Sequence, residues 1–391
     1  MVNEQLTEKF QKKKLGEIAN IIMGQSPESK FYNKKNMGLP LIQGNADIQD
    51  RETIVRTFTS KYPKCANKGD TIMSVRAPVG EIAKAVFDCC IGRGVCAISY
   101  FNDYIYHYMI FIEKRWASRS TGSTFDSINA KEVNNLELFL PESKEEQTII
   151  SRILSDVDEL IKQLDYFITK KKNIKQGAMQ ELLTGKKRLE GFDGEWIEDF
   201  LGLLLLLLKD GTHNPPKRIS KGIPLLASEN IHDGEIDFEK SSSYISEQDY
   251  KELQKQYHIS KMDLLLTIVG TIGRVSLVKQ ESKFSVQRSV AILRANNRIS
   301  PQFLYFIIQS YTFQLQLQLN KNATAQSGIY LNSLSKIKLF FPKMVTEQEK
   351  IAEILFDMDS EIKELEAKKD KYIMIKNGMM QKLLTGEIRL T

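Results

Sequence analysis

Apolar residues recur at heptad a and d spacing along one stretch of the chain: Ile150, Ile153, Val157, Leu160, Leu164 and Phe167, with Ile174 and Ala178 carrying the pattern past Lys171. Steps of three and four residues put these side chains on one helical face, so the stretch predicts a long helix with an apolar seam. A second stretch places Ile351, Ile354, Met358, Leu365, Tyr372, Ile375 and Met379 in the same frame, with Glu361 and Lys368 at two d positions. Each stretch opens after a proline and has a glycine near its end, the ordinary start and stop signals of a helix. From Glu145 to Leu183 such a helix runs roughly 55–60 Å, at about 1.5 Å per residue. The regions before the helices, roughly 15–140 and 200–341, are instead rich in β-branched and aromatic residues, turn glycines and short apolar runs. That pattern predicts short strands. Tyr104 to Trp116 and Pro301 to Leu319 read as helices, which makes each region mixed α and β.

The chain repeats itself. Leu138-Phe139-Leu140-Pro141 recurs as Leu339-Phe340-Phe341-Pro342, and Leu182-Leu183-Thr184-Gly185 as Leu383-Leu384-Thr385-Gly386, both 201 residues apart. Between these anchors the register holds without a gap, matching Glu146-Gln147 to Glu347-Gln348, Asp156 to Asp357, Gly177 to Gly378 and Met179-Gln180 to Met380-Gln381. A period of this length exceeds the roughly 20–50 residues of a solenoid unit, so a whole domain plus a helix is duplicated. Fainter likeness runs through the strand-rich regions: Gly69 to Ser74 resembles Lys261 to Thr267, and Arg93 to Ile98 parallels Arg288 to Leu293.

The expected fold class is α+β: two mixed α/β domains separated by two long helices that pair as an antiparallel coiled coil, with an internal pseudo-two-fold repeat. Expected boundaries are 1–143 and 200–343 for the domains, 144–185 and 344–386 for the helices, 186–199 for a linker and 387–391 for a tail. Helix pairing is assigned to Ile150, Ile153, Val157, Leu160 and Leu164 on one side and Ile351, Ile354, Met358 and Leu365 on the other. Heptads alone also fit a homo-oligomeric coiled coil, but a helix closing each half can pair with its twin within one chain.

At 391 residues the chain fits two or three domains, and 42% hydrophobic with 27% charged residues is a soluble globular composition. A net charge of +6 and a pI near 8.8 permit binding to nucleic acid without requiring it. Cys65, Cys89, Cys90 and Cys96 have no CxxC spacing, so reduced thiols in the cytoplasm are expected. The polar stretch from Met1 to Leu15 lacks the apolar core of an export signal. The leucine run Leu203 to Leu208 is far short of the ~20 residues that span a membrane.

Catalytic chemistry is not visible. Asn214-Pro215-Pro216 is like the NPP-aromatic motif that holds a flipped adenine, but Lys217 stands in the aromatic place and no glycine-rich cofactor turn accompanies it. A turn is the expectation there. Val269-Gly270-Thr271-Ile272-Gly273 lacks the lysine and hydroxyl of a phosphate loop. Asp359, Glu361 and Lys363 superficially resemble a nuclease set, yet they sit on the second heptad helix, where a charged face is the plainer reading. His107, His213, His232 and His258 have no ligand spacing with cysteine or one another, so no metal and no cofactor are expected.

The order domain, heptad helix ending in Leu-Leu-Thr-Gly, domain, heptad helix ending in Leu-Leu-Thr-Gly resembles the specificity subunit family of type I restriction-modification enzymes over essentially the whole chain. Gln180 to Leu189 is similar to that family's helix terminus, and Lys209-Asp210-Gly211-Thr212-His213 to the start of a target-recognition domain. Ser123 to Ile128 and Thr324 to Ile329 resemble its polar loop before the last strand. The leucine run falls where the second domain's first strand belongs.

The resemblance implies a non-catalytic DNA-reading subunit: each domain reads one half of a bipartite, asymmetric sequence in double-stranded DNA. The helices would set the gap and dock two methyltransferase subunits, and restriction subunits carrying the motor nuclease would join them. Two rival readings exist: a self-sufficient DNA-modification enzyme would need the missing methyltransferase motifs, and a coiled-coil interaction scaffold would have no reason to vary only its two domains.

Base-edge contacts specify sequence while phosphate contacts position, and arginine and lysine suit guanine as Asn and Gln suit adenine. The expected DNA contacts are Arg76, Lys84, Arg93, Arg119 and Ser123 in the first domain, and His213, Lys217, Arg274, Arg288, Lys321 and Gln326 in the second.

Overall fold

The structure, a computed structural model, describes residues 9–120, 127–232, 234–239, 243–320 and 328–390. The chain divides into two compact units, one of residues 1–166 with 366–391 and one of residues 167–365. Each unit therefore holds one strand-rich head and a part of both long helices.

In the first unit, strands β1 (Phe10–Lys14), β2 (Asn20–Met23), β3 (Leu39–Ile42), β4 (Thr71–Ser74), β5 (Ile82–Lys84), β6 (Cys89–Ile91) and β7 (Val95–Ser99) precede helix α1 (Tyr104–Ser120), strand β8 (Glu137–Pro141) and the start of helix α2 (Lys144–Leu182). The main sheet runs β2–β7–β4–β5 with antiparallel neighbours; β3 and β6 pair in parallel, and β1 pairs with β8. Side chains alternate across the strands. Met73, Cys96 and Ile98 pack with Tyr104, Ile105 and Met109 of α1, while Ile72, Val95 and Ala97 face Ile42, Cys89 and Ile91. With both faces covered, β4 is buried along its whole length and β7 reads as a run of apolar residues from Val95 to Ile98 rather than an alternating one. Burial pushes the thiols of Cys89 and Cys96 up to about 12 and that of Cys90 to about 11, which keeps them protonated and unreactive.

The second unit repeats this plan. Strands β9 (Trp196–Phe200), β10 (Leu205–Asp210), β11 (Ile223–Leu226), β12 (Leu264–Thr267), β13 (Val275–Leu277), β14 (Ser285–Val286) and β15 (Val290–Ala295) lead to helices α3 (Pro301–Gln309) and α4 (Tyr311–Leu319), strand β16 (Lys338–Pro342) and helix α5 (Val345–Leu384). The sheet order β10–β15–β12–β13 matches β2–β7–β4–β5; β11 and β14 are parallel as β3 and β6 are, and β9 pairs with β16 as β1 does with β8. The leucine run ends in β10, opposite β15, with Leu204 buried and Leu206 exposed. The helix expected over Pro301 to Leu319 breaks at Ser310, whose hydroxyl caps α4 by accepting the Phe313 N–H.

The long helices pair antiparallel. In the first unit Lys376 binds Asp158 and Lys369 binds Asp165; in the second Lys175 binds Asp359 and Lys171 binds Glu361, so partner numbers rise on one helix as they fall on the other. Glu361, which interrupts the apolar frame, is thus an ion-pair partner, and Lys363 likewise binds Glu235. Of the pairing residues expected, Ile150, Leu164 and Ile351 are buried and Ile153, Val157, Leu160, Ile354, Met358 and Leu365 half-buried.

Phe167 and Ile174 are both 49% exposed, and Ile375 is exposed too. The buried stripe passes instead through Ile150, Leu154, Leu164, Ile168 and Met179, and through Ile351, Leu355, Ile362 and Met380 on the twin helix. Ile150 and Leu164 are two heptads apart, as are Leu154 and Ile168, so the seven-residue spacing holds there while the second buried row lies one position beyond the expected Ile153 and Phe167.

Each long helix ends inside a head. Met380, Leu383 and Leu384 join Leu15, Tyr104 and Ile150 in the first unit's core, and Met179, Leu182 and Leu183 join Leu201, Phe303 and Ile351 in the second. After the helix, Arg389 donates to both carboxylate oxygens of Glu146 at 2.8 and 2.7 Å and lies over Phe10. Arg188 does the same to Glu347 at 2.8 and 2.9 Å and lies over Trp196. Beside each glutamate a buried glutamine donates to a strand-end carbonyl, Gln147 to Pro141 and Gln348 to Pro342. The repeated Glu-Gln pair is the socket into which the repeated tail docks. Among the described residues no helix is long and apolar enough to cross a membrane.

Candidate nucleic-acid interface

At one end of each sheet, loops between strands come together. In the first head β4 turns into β5 through Val75 to Gly80, held from below by Ser74, whose buried hydroxyl donates to Pro78 O at 2.8 Å and accepts Glu81 N–H at 2.9 Å. In the second head Thr267 does this beneath Ile268 to Gly273, its hydroxyl accepting Arg274 N–H at 2.9 Å. Gly80 and Gly273 close these loops at φ of 94° and 100°, a left-handed conformation that favours glycine. Behind each lies the flank of the polar loop: Arg76 bridges to Ser127, and Val269 to Gly328.

The neighbouring loop, from β6 to β7, presents Arg93 between Gly92 and Gly94. A Cβ on Gly94 would meet the Gln43 carbonyl at 2.0 Å, so glycine lets this loop lie against the one after β3. Arg93 N–H donates to Ser26 Oγ, and in the second head Arg288 N–H donates to Thr212 O. Matching bonds run from Gly92 N to Ile42 O and from Gln287 N to Leu226 O, which puts Arg93 and Arg288 at equivalent places. Both arginines are exposed, as is Arg76, and none makes an ion pair with a described residue.

The expected contact residues divide accordingly. Arg76 and Arg93 share the loop end of the first head. Lys84 does not: it sits opposite Thr71 at the far end of β5, paired with Asp103 and 4.8 Å from the Tyr106 ring centre. Arg119 lies late in α1, and Ser123, Lys321 and Gln326 fall outside the described residues. In the second head, His213 is exposed and bound to Asp210 at 2.6 Å, Lys217 is exposed, Arg274 is half-buried beside Gly273, and Arg288 occupies the loop tip. The Asn214 carbonyl accepts from Thr212 Oγ1 in a turn before Pro215. The geometry also brings Tyr32 to the first head's loop end, together with Ser26, Gln43 and Asn45, which no sequence feature singled out. Gly24-Gln25-Ser26 standing where Gly211-Thr212-His213 stands was the signal available.

Among the described residues no group of three or more histidines, cysteines or carboxylates is placed to hold a metal. Asp359, Glu361 and Lys363 are each taken up in ion pairs within their unit.

Two heads of one topology, with exposed polar loops at the sheet end and paired long helices, define a two-headed recognition protein. The model of the type I restriction modification DNA specificity domain matches residues 7–175 and again 218–373. The chain belongs to that family. It is 32% identical over 200 residues to a Methanocaldococcus jannaschii chain assigned as the type I restriction enzyme MjaX specificity subunit, covering 46% of this chain and 47% of that one. This match thus spans about half of that relative's length. The type I restriction enzyme EcoBI specificity subunit of Escherichia coli is 22% identical over 95% of this chain and 84% of its own. Among solved structures, the S subunit of a type I restriction-modification system from M. genitalium superposes with a TM-score of 0.64 at 17% identity, over 96% of each chain, a likeness of fold.

Proposed function

We propose that the chain is the DNA-reading subunit of a type I restriction-modification complex, with each head reading one half of a bipartite, asymmetric target. The observation that carries this reading is the pair of equivalent loop ends, built on one scaffold but differing in their polar side chains: Arg76 stands where the second head has Val269, and Ser26 where it has His213. Two copies of one reading frame with different side chains suit two different half-sites. The recognition domains are 1–143 and 200–343, and the paired helices set the gap between half-sites and dock two methyltransferase subunits, which restriction subunits join. The chain itself contributes recognition and no bond-making chemistry.

Mapping methylated adenines in cells that express the chain with its methyltransferase partner tests this. The expected result is one split, asymmetric motif; methylation without sequence preference, or methyl transfer by the isolated chain, overturns it.

Arg93 and Arg288, shared by both heads, suit phosphate contacts, which position without specifying. Arg93→Ala and Arg288→Ala are each expected to weaken binding to all sequences alike and to lower the slope of log affinity against log salt by about 1. A salt titration of DNA binding by each variant checks this, and an unchanged slope removes that arginine from the interface.

A further inference from the structure

Gln43 stands where β3 runs out into the loop end of the first head, beside the glycines that flank Arg93. Its side chain is exposed but not loose: Nε2 donates to the Tyr32 hydroxyl at 3.0 Å, and that hydroxyl donates to Pro27 O at 3.0 Å. Gln43 N–H also donates to the buried Asp47 carboxylate at 2.7 Å, which fixes the backbone from which the side chain springs. This chain of bonds uses one amide N–H. The second N–H and the Oε1 acceptor have no partner among the described residues.

An open polar cleft of about 380 Å³ adjoins the amide, lined by Gln43, Asn45, Asp47, Thr57 and the cations Lys34 and Arg56. A donor and an acceptor held side by side, next to positive charge in a solvent-open cleft, form the complement of the adenine major-groove edge, whose N6 donates and N7 accepts. A carboxylate or a lysine in that place would offer only one half of this pattern. In the second head the residue that follows the paired strand is Ala227: β11 pairs with β14 as β3 pairs with β6, and Ala227 N–H donates to Asn230 Oδ1 in a turn one residue shorter than that from Gln43 to Asp47. There the polar head is missing.

We infer that Gln43 is a specificity-determining residue that reads an adenine in the first head's half-site, with Tyr32 as the residue that positions it. This rests on the reading of the heads as DNA readers. Arg93, common to both heads, holds phosphate beside it, while Gln43 supplies a base contact that the second head lacks.

The test is selection of bound sequences from a randomised duplex library by the full chain assembled with its methyltransferase subunits, for the wild type, Gln43→Ala and Tyr32→Phe. The wild type is expected to prefer A·T at one position of one half-site by roughly 5- to 150-fold, the worth of a bidentate base contact. Gln43→Ala should flatten that position alone and leave the other half-site as it was. Tyr32→Phe should weaken the same preference part of the way, with melting temperature and salt slope unchanged, a combination that a merely structural tyrosine would not give. If Gln43→Ala leaves both half-sites unaltered, or flattens a G·C position, the inference falls while the DNA-reading role stands. If the wild type selects no sequence, the role itself falls.

Discussion

Arg389→Ala is expected to destabilise the first unit by about 3–5 kcal/mol, the cost of leaving one partner of a buried ion pair behind. The Glu146 side chain is 3% exposed and Arg389 13%, so in the folded chain the carboxylate is satisfied by the guanidinium rather than by bulk water. Burial by itself would raise the Glu146 pKa, but the Arg389 hydrogen bonds, the Leu390 N–H and the arginine charge outweigh it and hold the carboxyl below its ordinary value. A depressed carboxylate stabilises the fold above its unfolded pKa of about 4.5, and that contribution disappears as pH falls through the folded value. Hydrogen exchange of the full chain reads the effect by region. In Arg389→Ala, protection should fall at β1 and β8 of the first unit and hold at β9 and β16 of the second. Arg188→Ala should do the reverse, more weakly, because Arg188 is 30% exposed. Equal loss in both units, or loss in neither, would show that the tails are not what closes each head.

Acid should weaken the first unit well before it reaches the carboxylate range. His107 is wholly buried on α1, its Nε2 2.9 Å from Ser155 Oγ on α2, and Asp103, Asp158, Lys84 and Lys376 surround it. Burial first, then the Lys376 charge, push its pKa from 6.5 down to about 3. A base depressed in the folded state contributes its full stability above the unfolded value near 6.5, and that contribution is lost as pH falls towards 3, because the unfolded chain takes up a proton that the folded one refuses. At about 1.4 kcal/mol per pH unit, the loss at pH 5 is about 2 kcal/mol.

Among its described residues the second unit has no such group. At the place of His107 and Ser155 it has Phe306 and Phe356, edge to face at 4.7 Å, with Lys175 over the Phe306 ring where Lys376 approaches His107. Urea unfolding at pH 7.5 and 5.0 should therefore show the first unit's transition moving and the second's staying. The double replacement His107→Phe with Ser155→Phe should abolish the movement, and a wild-type transition that ignores pH in this range would mean that His107 is protonated or hydrated in the folded chain.

Much of the fold was legible along the chain because it depends on near neighbours. Apolar steps of three and four made the helices visible, and an uninterrupted 201-residue register exposed the duplication. The likeness of Gly69–Ser74 to Lys261–Thr267 marked strands that occupy the same place in both sheets, β4 and β12. The exposed arginines of the β6–β7 and β14–β15 loops were visible too, as the first residues of two similar phrases.

The tertiary structure decided what depends on residues far apart. Leu383 and Leu384 read as the end of a helix, yet they complete the core of the head that begins the chain, some 370 residues earlier, because an antiparallel partner carries them back to it. Heptad counting puts Phe167 and Ile174 in the seam, but the packed helix leaves both about half exposed and buries Leu154 and Ile168, one position on from Ile153 and Phe167. Nothing along the chain shows that Asp103 and Tyr106, nineteen and twenty-two residues on, fold against Lys84. Gln43 carried no motif at all. Its meaning comes from Tyr32 and from the absence of a side chain on Gly94, and a hydrogen bond between loops is set by the packing of the strands that deliver them.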